Sequence, residues 1–164
     1  MQNELSPDAW RDWLRQNGAR FLLYSRHQTR TESDAEDIVQ EAIVESWQRA
    51  GGIPSDALVF STIRRRAIDL ARSGDRRVAR ERAEGEPEQE WFAPDIEDRE
   101  TQRILADAVK SLQPNYREVV TLKVWGGLTF QEIAEITGVP LNTAASRYRY
   151  ALEELRQNLK GVAL

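Results

Sequence analysis

Three observations place this chain in the all-α class. Apolar residues recur at helical spacing along most of its length, cap-and-stop signals punctuate that pattern, and strand signals are few. A dense acidic stretch interrupts the periodicity once, from Glu84 to Glu100. The expected architecture is two small helical domains, 1–83 and 101–164, joined by an acidic linker, 84–100. A length of 164 residues suits either one domain or two small ones.

The charge balance sharpens this picture. The net charge is −4, yet Glu84 to Glu100 holds eight acids and one arginine, so the remainder carries +3. The cations are dominated by arginine, 20 against 3 lysines. Its planar fork suits bidentate contact with phosphates and base edges. The chain has no cysteine, which excludes disulfides and thiolate chemistry. Its only histidine, His27, has no paired acid nearby, and no Gly-rich phosphate loop occurs, so no catalytic constellation converges. No enzyme activity, cofactor or metal is expected. No apolar run is long enough to cross a bilayer, and MQNELSPDAW lacks a basic-then-apolar leader pattern. A cytoplasmic protein without membrane insertion is expected.

The first helix starts at Ser6-Pro7-Asp8, a cap, a proline and an acid for the dipole. Trp10, Trp13 and Leu14 share a face, a break is expected around Gly18, and Phe21, Leu22 and Tyr24 resume the core pattern. Gln28 to Glu32 reads as a loop. Ser33 and Glu36 then form a capping box for a second helix. Ala35, Val39, Ala42, Ile43, Ser46 and Trp47 line one side of it; Asp37, Gln40, Glu41, Glu45 and Gln48 line the other. That polar side is either a solvated surface or an acidic docking face for a basic partner helix.

Gly51-Gly52 and Ile53-Pro54 break the chain, and Ser55 or Asp56 can cap a third helix to about Ser73. Phe60, Ile63, Ala67, Leu70 and Ala71 should face inward. Arg64, Arg65, Arg66 and Arg72, followed by Arg76, Arg77, Arg80 and Arg82, make a basic ridge against Asp69, Asp75 and Glu81. Such a ridge either solubilises the helix or, beside a Gly-Pro loop and aromatics, contacts single-stranded nucleic acid. Trp91 and Phe92 are too apolar for a pure spacer and should dock somewhere.

Beyond the linker the helical period returns at Thr101 through Ile104, Leu105, Ala108, Val109 and Leu112. Pro114 starts the next helix, with Tyr116, Val119, Val120, Leu122 and Trp125 apolar, and Gly126-Gly127 ends it. Leu128 to Arg149 reads as helix, tight turn, helix. Thr129 and Glu132 form a capping box, and Ile133, Ala134 and Ile136 give an apolar face. Gly138 supplies a positive φ and Val139-Pro140 turns the chain. The last helix buries Ala144, Tyr148, Ala151, Leu152, Leu155 and Leu159; Asn142, Thr143, Ala145, Ser146 and Arg149 lie opposite. A helix-turn-helix offers such groups, near the start of its second helix, to the DNA major groove. The C-terminal domain is thus a four-helix unit ending soon before Leu164, with no C-terminal regulatory domain expected.

Two motifs in this order resemble the extracytoplasmic-function sigma factors of bacterial RNA polymerase. DAEDIVQEAIVESW is similar to the second-region helix that docks on the polymerase clamp, and STIRRRAIDLAR to the promoter-melting helix after it. LQPNYREVVTLKVWGGLTFQEIAEITGVPLNTAASRYRYALEELR resembles the fourth region nearly end to end. The resemblance implies that Asp37, Gln40, Glu41 and Glu45 bind core RNA polymerase. It implies that Ser55, Asp56, Phe60, Arg64, Arg65 and Arg72 engage the minus-ten element, partly as single strand. It further implies that Asn142, Thr143, Ala145, Ser146 and Arg149, with Arg147 on phosphate, meet the minus-thirty-five duplex. An anti-sigma factor is a further implied partner, and the acidic linker would occupy the RNA exit path. Arg65 stands where the family usually has Asn, Leu58 near a usual aromatic, and Asn142-Thr143-Ala144-Ala145 where Gly-Thr-Val and a base are common. The alternative is a free-standing helix-turn-helix transcriptional regulator.

Overall fold

Residues 7–73 and 99–161 are described by the structure, a computed structural model. Their helices are α1 (Pro7–Gln28), α2 (Glu32–Ala50), α3 (Asp56–Ser73), α4 (Arg99–Lys110), α5 (Pro114–Val120), α6 (Phe130–Thr137) and α7 (Leu141–Leu159). A π-helical turn, Thr121–Trp125, continues α5. The described residues contain no strand. They fall into two units, α1 to α3 and α4 to α7. Ser6, Arg76, Arg77, Arg80, Arg82, Trp91, Phe92 and the acidic stretch through Asp98 lie outside the described residues.

In the first unit α1, α2 and α3 all pack on one another. Pro7 opens α1 with Asp8 in its first turn, and the helix runs unbroken through the expected break at Gly18, which is buried. Glycine costs a helix about 1 kcal/mol, less than the burial of Trp13, Phe21 and Leu22 on either side returns. The rings form a connected set. Phe60 meets Phe21 edge-on at 5.1 Å and Tyr24 at 5.4 Å, while Trp10 stacks on Trp13 and meets Trp47 edge-on at 4.2 Å.

The α1–α2 connection is tighter than the expected loop. Thr31, not Ser33, caps α2: its Oγ1 accepts from the Asp34 N–H at 3.0 Å. Glu32 therefore sits in the first turn, where Arg26 grips it bidentately. Ser25 Oγ donates to the buried Ala35 carbonyl at 2.9 Å, and Ser46 and Thr62 hydroxyls meet at 3.4 Å, tying α1 to α2 and α2 to α3. Gly51 ends α2 at φ 70°, and Ser55 Oγ accepts from the Leu58 N–H to cap α3. Ala71, expected inward, is exposed near the end of α3.

The second unit centres on Val109, Leu112, Val120, Ala151 and Leu155, flanked by Ala108, Tyr116, Trp125 and Tyr148. α4 begins at Arg99, two residues ahead of the expected return of periodicity, with Glu100 favourably placed in its first turn. Leu152 is turned outward, 38% exposed. A helix advances about 100° per residue, and it is Ala151 that points into the core.

Candidate functional site

On α2, residues 37, 40, 41, 44 and 48 follow one helical stripe, and all five are exposed. The expected docking residues Asp37, Gln40 and Glu41 lie on it, and Glu45 borders it half-buried. Val44, 53% exposed in the middle of this stripe, is missing from the sequence-derived set. Its spacing of three and four residues from Glu41 and Gln40 is the signal that could have found it.

Of the acids expected to dock, Glu41 and Glu45 are ion-paired with arginines of α3. Arg66 Nη1 donates to Glu41 Oε2 at 2.8 Å and Nη2 to Glu45 Oε1 at 3.1 Å, while Arg65 Nη2 pairs with Glu45 Oε2. Burial alone would raise the Glu45 carboxyl, but the Arg65 hydrogen bond and the charges of Arg65 and Arg66 outweigh it and hold it below its ordinary value. Alongside, a cleft of about 220 Å³ opens between α2 and α3, lined by Asp34, Asp37, Glu41, Arg66, Asp69 and Ser73 among others.

The expected minus-ten residues separate into different environments. Phe60 is 0% exposed at the centre of the aromatic core, so its ring has no face to offer a base. That assignment is corrected: its apolar spacing, shared with Ile63 and Ala67, marks core alone. Ser55 is exposed and acts as the α3 cap. Asp56 is ion-paired with Arg20 at 2.7 Å. Arg65 and Arg72 are exposed and Arg64 is half-buried, so the basic face of α3 lies largely at the surface.

In the second unit, the capping box at Thr129 is complete. Thr129 Oγ1 accepts from the Glu132 N–H, and Glu132 Oε1 accepts from the Thr129 N–H at 3.0 Å. Gly138 closes α6 at φ 71°, and Pro140 in extended backbone precedes α7. The side of α7 away from Ala144, Ala151 and Leu155 carries Asn142, Thr143, Ser146 and Arg149; Ala145 and Arg147 sit half-buried on its flanks. Tyr150, 54% exposed, extends this face, four residues beyond Ser146 and seven beyond Thr143, with the Arg149 guanidinium 5.2 Å from its ring. Tyr150 is absent from the sequence-derived set, and its spacing from Thr143 and Ser146 is the signal that could have found it.

A short helix, a left-handed glycine turn and a longer helix with small polar groups in its first turns define a helix-turn-helix protein. Comparison with known proteins specifies the class further. Residues 102–155 match the family model of sigma-70, region 4. The chain is 32% identical over 153 residues to the ECF RNA polymerase sigma factor SigL of Mycobacterium tuberculosis, covering 88% of this chain and 85% of that protein. It is 35% identical over 141 residues to the ECF RNA polymerase sigma factor RpoE of Cereibacter sphaeroides, covering 77% and 73%. Its fold is similar to that of the sigma factor RpoE in complex with the anti-sigma factor NepR from Bartonella quintana, with a TM-score of 0.64 at 20% identity over 94% of this chain and 99% of that one. The chain belongs to the extracytoplasmic-function (ECF) sigma factors of RNA polymerase. No helix among its described residues is long and apolar enough to cross a membrane.

Proposed function

We propose that the chain docks on core RNA polymerase through the outer face of α2 and directs it to promoters that α3 and α7 contact. Asp37, Gln40, Glu41 and Glu45 meet basic helices of the polymerase, and Val44 adds an apolar anchor at the centre of that stripe. Residues 51–56 with Arg64, Arg65 and Arg72 engage the minus-ten element. There, extrusion of a base costs a few kcal/mol that capture of the base offsets. Within this loop Ser55 meets DNA, while Asp56, held by Arg20, shapes the loop.

α7 reads the minus-thirty-five duplex from the major groove, with Asn142, Thr143, Ser146 and Arg149 toward base edges, Ala145 alongside and Arg147 toward phosphate. Each good bidentate contact contributes roughly 1–3 kcal/mol of discrimination. The protein works by binding, in the cytoplasm, with nucleotide chemistry left to the polymerase. An anti-sigma factor restrains it, as the complex of the Bartonella quintana relative suggests by analogy.

One observation carries this reading: the capped α6, the Gly138 turn and the polar first turns of α7, in a chain 32% identical to a sigma factor across most of its length. Reconstitution with core polymerase and sequencing of transcript starts tests it. Starts clustered downstream of a common two-element motif are expected. Unaided selection of duplex DNA, with no effect on the polymerase, would overturn it in favour of a free-standing regulator.

A further inference from the structure

We propose that Glu41, Glu45, Arg65 and Arg66 form an ionic latch that couples polymerase docking on α2 to exposure of cationic groups on α3. The idea rests on the reading of α2 as the docking helix given above. Both Glu45 oxygens are taken, one by each arginine, and Arg66 spans two carboxylates one helical turn apart. In the free chain two acids assigned to a basic partner and two arginines of the basic ridge on α3 neutralise one another.

The latch is not what holds the two helices together. Beneath it, Ser46 and Thr62 are hydrogen-bonded, and Ile38, Val39, Ile43, Val59 and Ile63 are buried. The pairs are partly exposed, with side-chain exposures between 26% and 59%, so each holds weakly. The Arg66 guanidinium is also incompletely satisfied: its Nε is buried with no hydrogen-bond partner. A buried N–H without an acceptor is costly, and a phosphate offers the bidentate contact that the present geometry withholds.

Basic groups of the polymerase that take Glu41 and Glu45 therefore release Arg65 and Arg66. Binding linkage makes the effect reciprocal: DNA that draws the arginines away leaves the carboxylates freer for the polymerase. Neither surface presents its full charge until the other is occupied.

The test uses the full chain, core polymerase and a fluorescent single-stranded oligonucleotide carrying a minus-ten sequence, at fixed salt. Arg65→Gln removes a competitor for Glu45 and should strengthen binding to core polymerase roughly two- to five-fold. Glu45→Gln should strengthen oligonucleotide binding by the free chain by a similar factor. It should do so beyond the increase given by Asp37→Asn, the same charge change outside the latch. Unchanged or weaker core binding by Arg65→Gln overturns the latch, as does oligonucleotide binding by Glu45→Gln no tighter than by Asp37→Asn. Circular dichroism checks that each variant is folded. Asp37→Lys separates the two readings. If it leaves core binding intact, α2 is not the docking helix; if it weakens core binding while Arg65→Gln does not strengthen it, only the latch is wrong.

Discussion

At Glu45 opposing effects act on one carboxyl group. Burial favours its neutral form, while the hydrogen bond from Arg65 and the charges of Arg65 and Arg66 favour the ionised one and prevail. A carboxyl held low in the folded state contributes stability at neutral pH. That contribution persists above the ordinary glutamate value, about 4.3, and is lost as pH falls through the lower folded value. Urea unfolding from neutral down to about pH 3 should therefore show a smaller acid-side loss for Glu45→Gln than for the parent chain. Two glycines make a second pair of contrasts. A Cβ at Gly126 would press into the Leu122 backbone carbonyl, whereas at Gly138 it would meet nothing within 4 Å. Gly126→Ala should destabilise by a few kcal/mol through overlap, and Gly138→Ala by about 1–2 kcal/mol through its φ of 71° alone. Thermal unfolding ranks them.

Among the elements, the segment between α5 and α6 shows how a π-helical turn and a short connection redirect the chain. The Gly126 N–H donates to Thr121 O at 2.9 Å, the π-helical pattern, and the Leu128 N–H returns to Leu122 O at 3.2 Å. Lys123 Nζ then donates to Leu128 O and lies 4.4 Å from the Phe130 ring, joining the π turn to the start of α6. α6 is only eight residues long, too short to persist alone, so its start depends on the reciprocal cap. Thr129→Ala should cost about 1 kcal/mol and lower occupancy of upstream-element DNA through a disordered first helix, read by denaturation and footprinting together. On α7, Arg149→Ala should relax preference at one position of that element, worth roughly 1–3 kcal/mol. A selection profile identical to the parent's would remove Arg149 from the readers.

Over the whole molecule, charge is segregated by region, and the −4 average conceals a cationic remainder. The first unit presents acid on α2 and base on α3, and the second presents a compact polar face on α7. Surfaces of opposite sign on one small unit can serve a basic protein and a nucleic acid at once, as a sigma factor requires. Reversing charge at Asp37 and Glu41 should cut affinity for core polymerase at least several-fold, more at low salt. Far-ultraviolet circular dichroism should be unchanged, since both residues are exposed.

What the amino-acid order determined by itself is local. The Thr129–Glu132 cap, the left-handed Gly51 and Gly138, the bounds of most helices and the polar face of α7 all follow from interactions between residues a few positions apart. The resemblance to sigma factors was legible for the same reason, being carried by two contiguous helical motifs. Tertiary structure decided the rest. It kept α1 whole through Gly18, moved the α2 cap from Ser33 to Thr31, and drew Phe60 in between Phe21 and Tyr24. It also set Arg65 and Arg66 against acids 20 to 25 positions away. Periodicity tells which side of a helix is apolar or charged; only packing against another helix decides whether a ring meets the core or a base, and whether a charge meets its own chain or a partner.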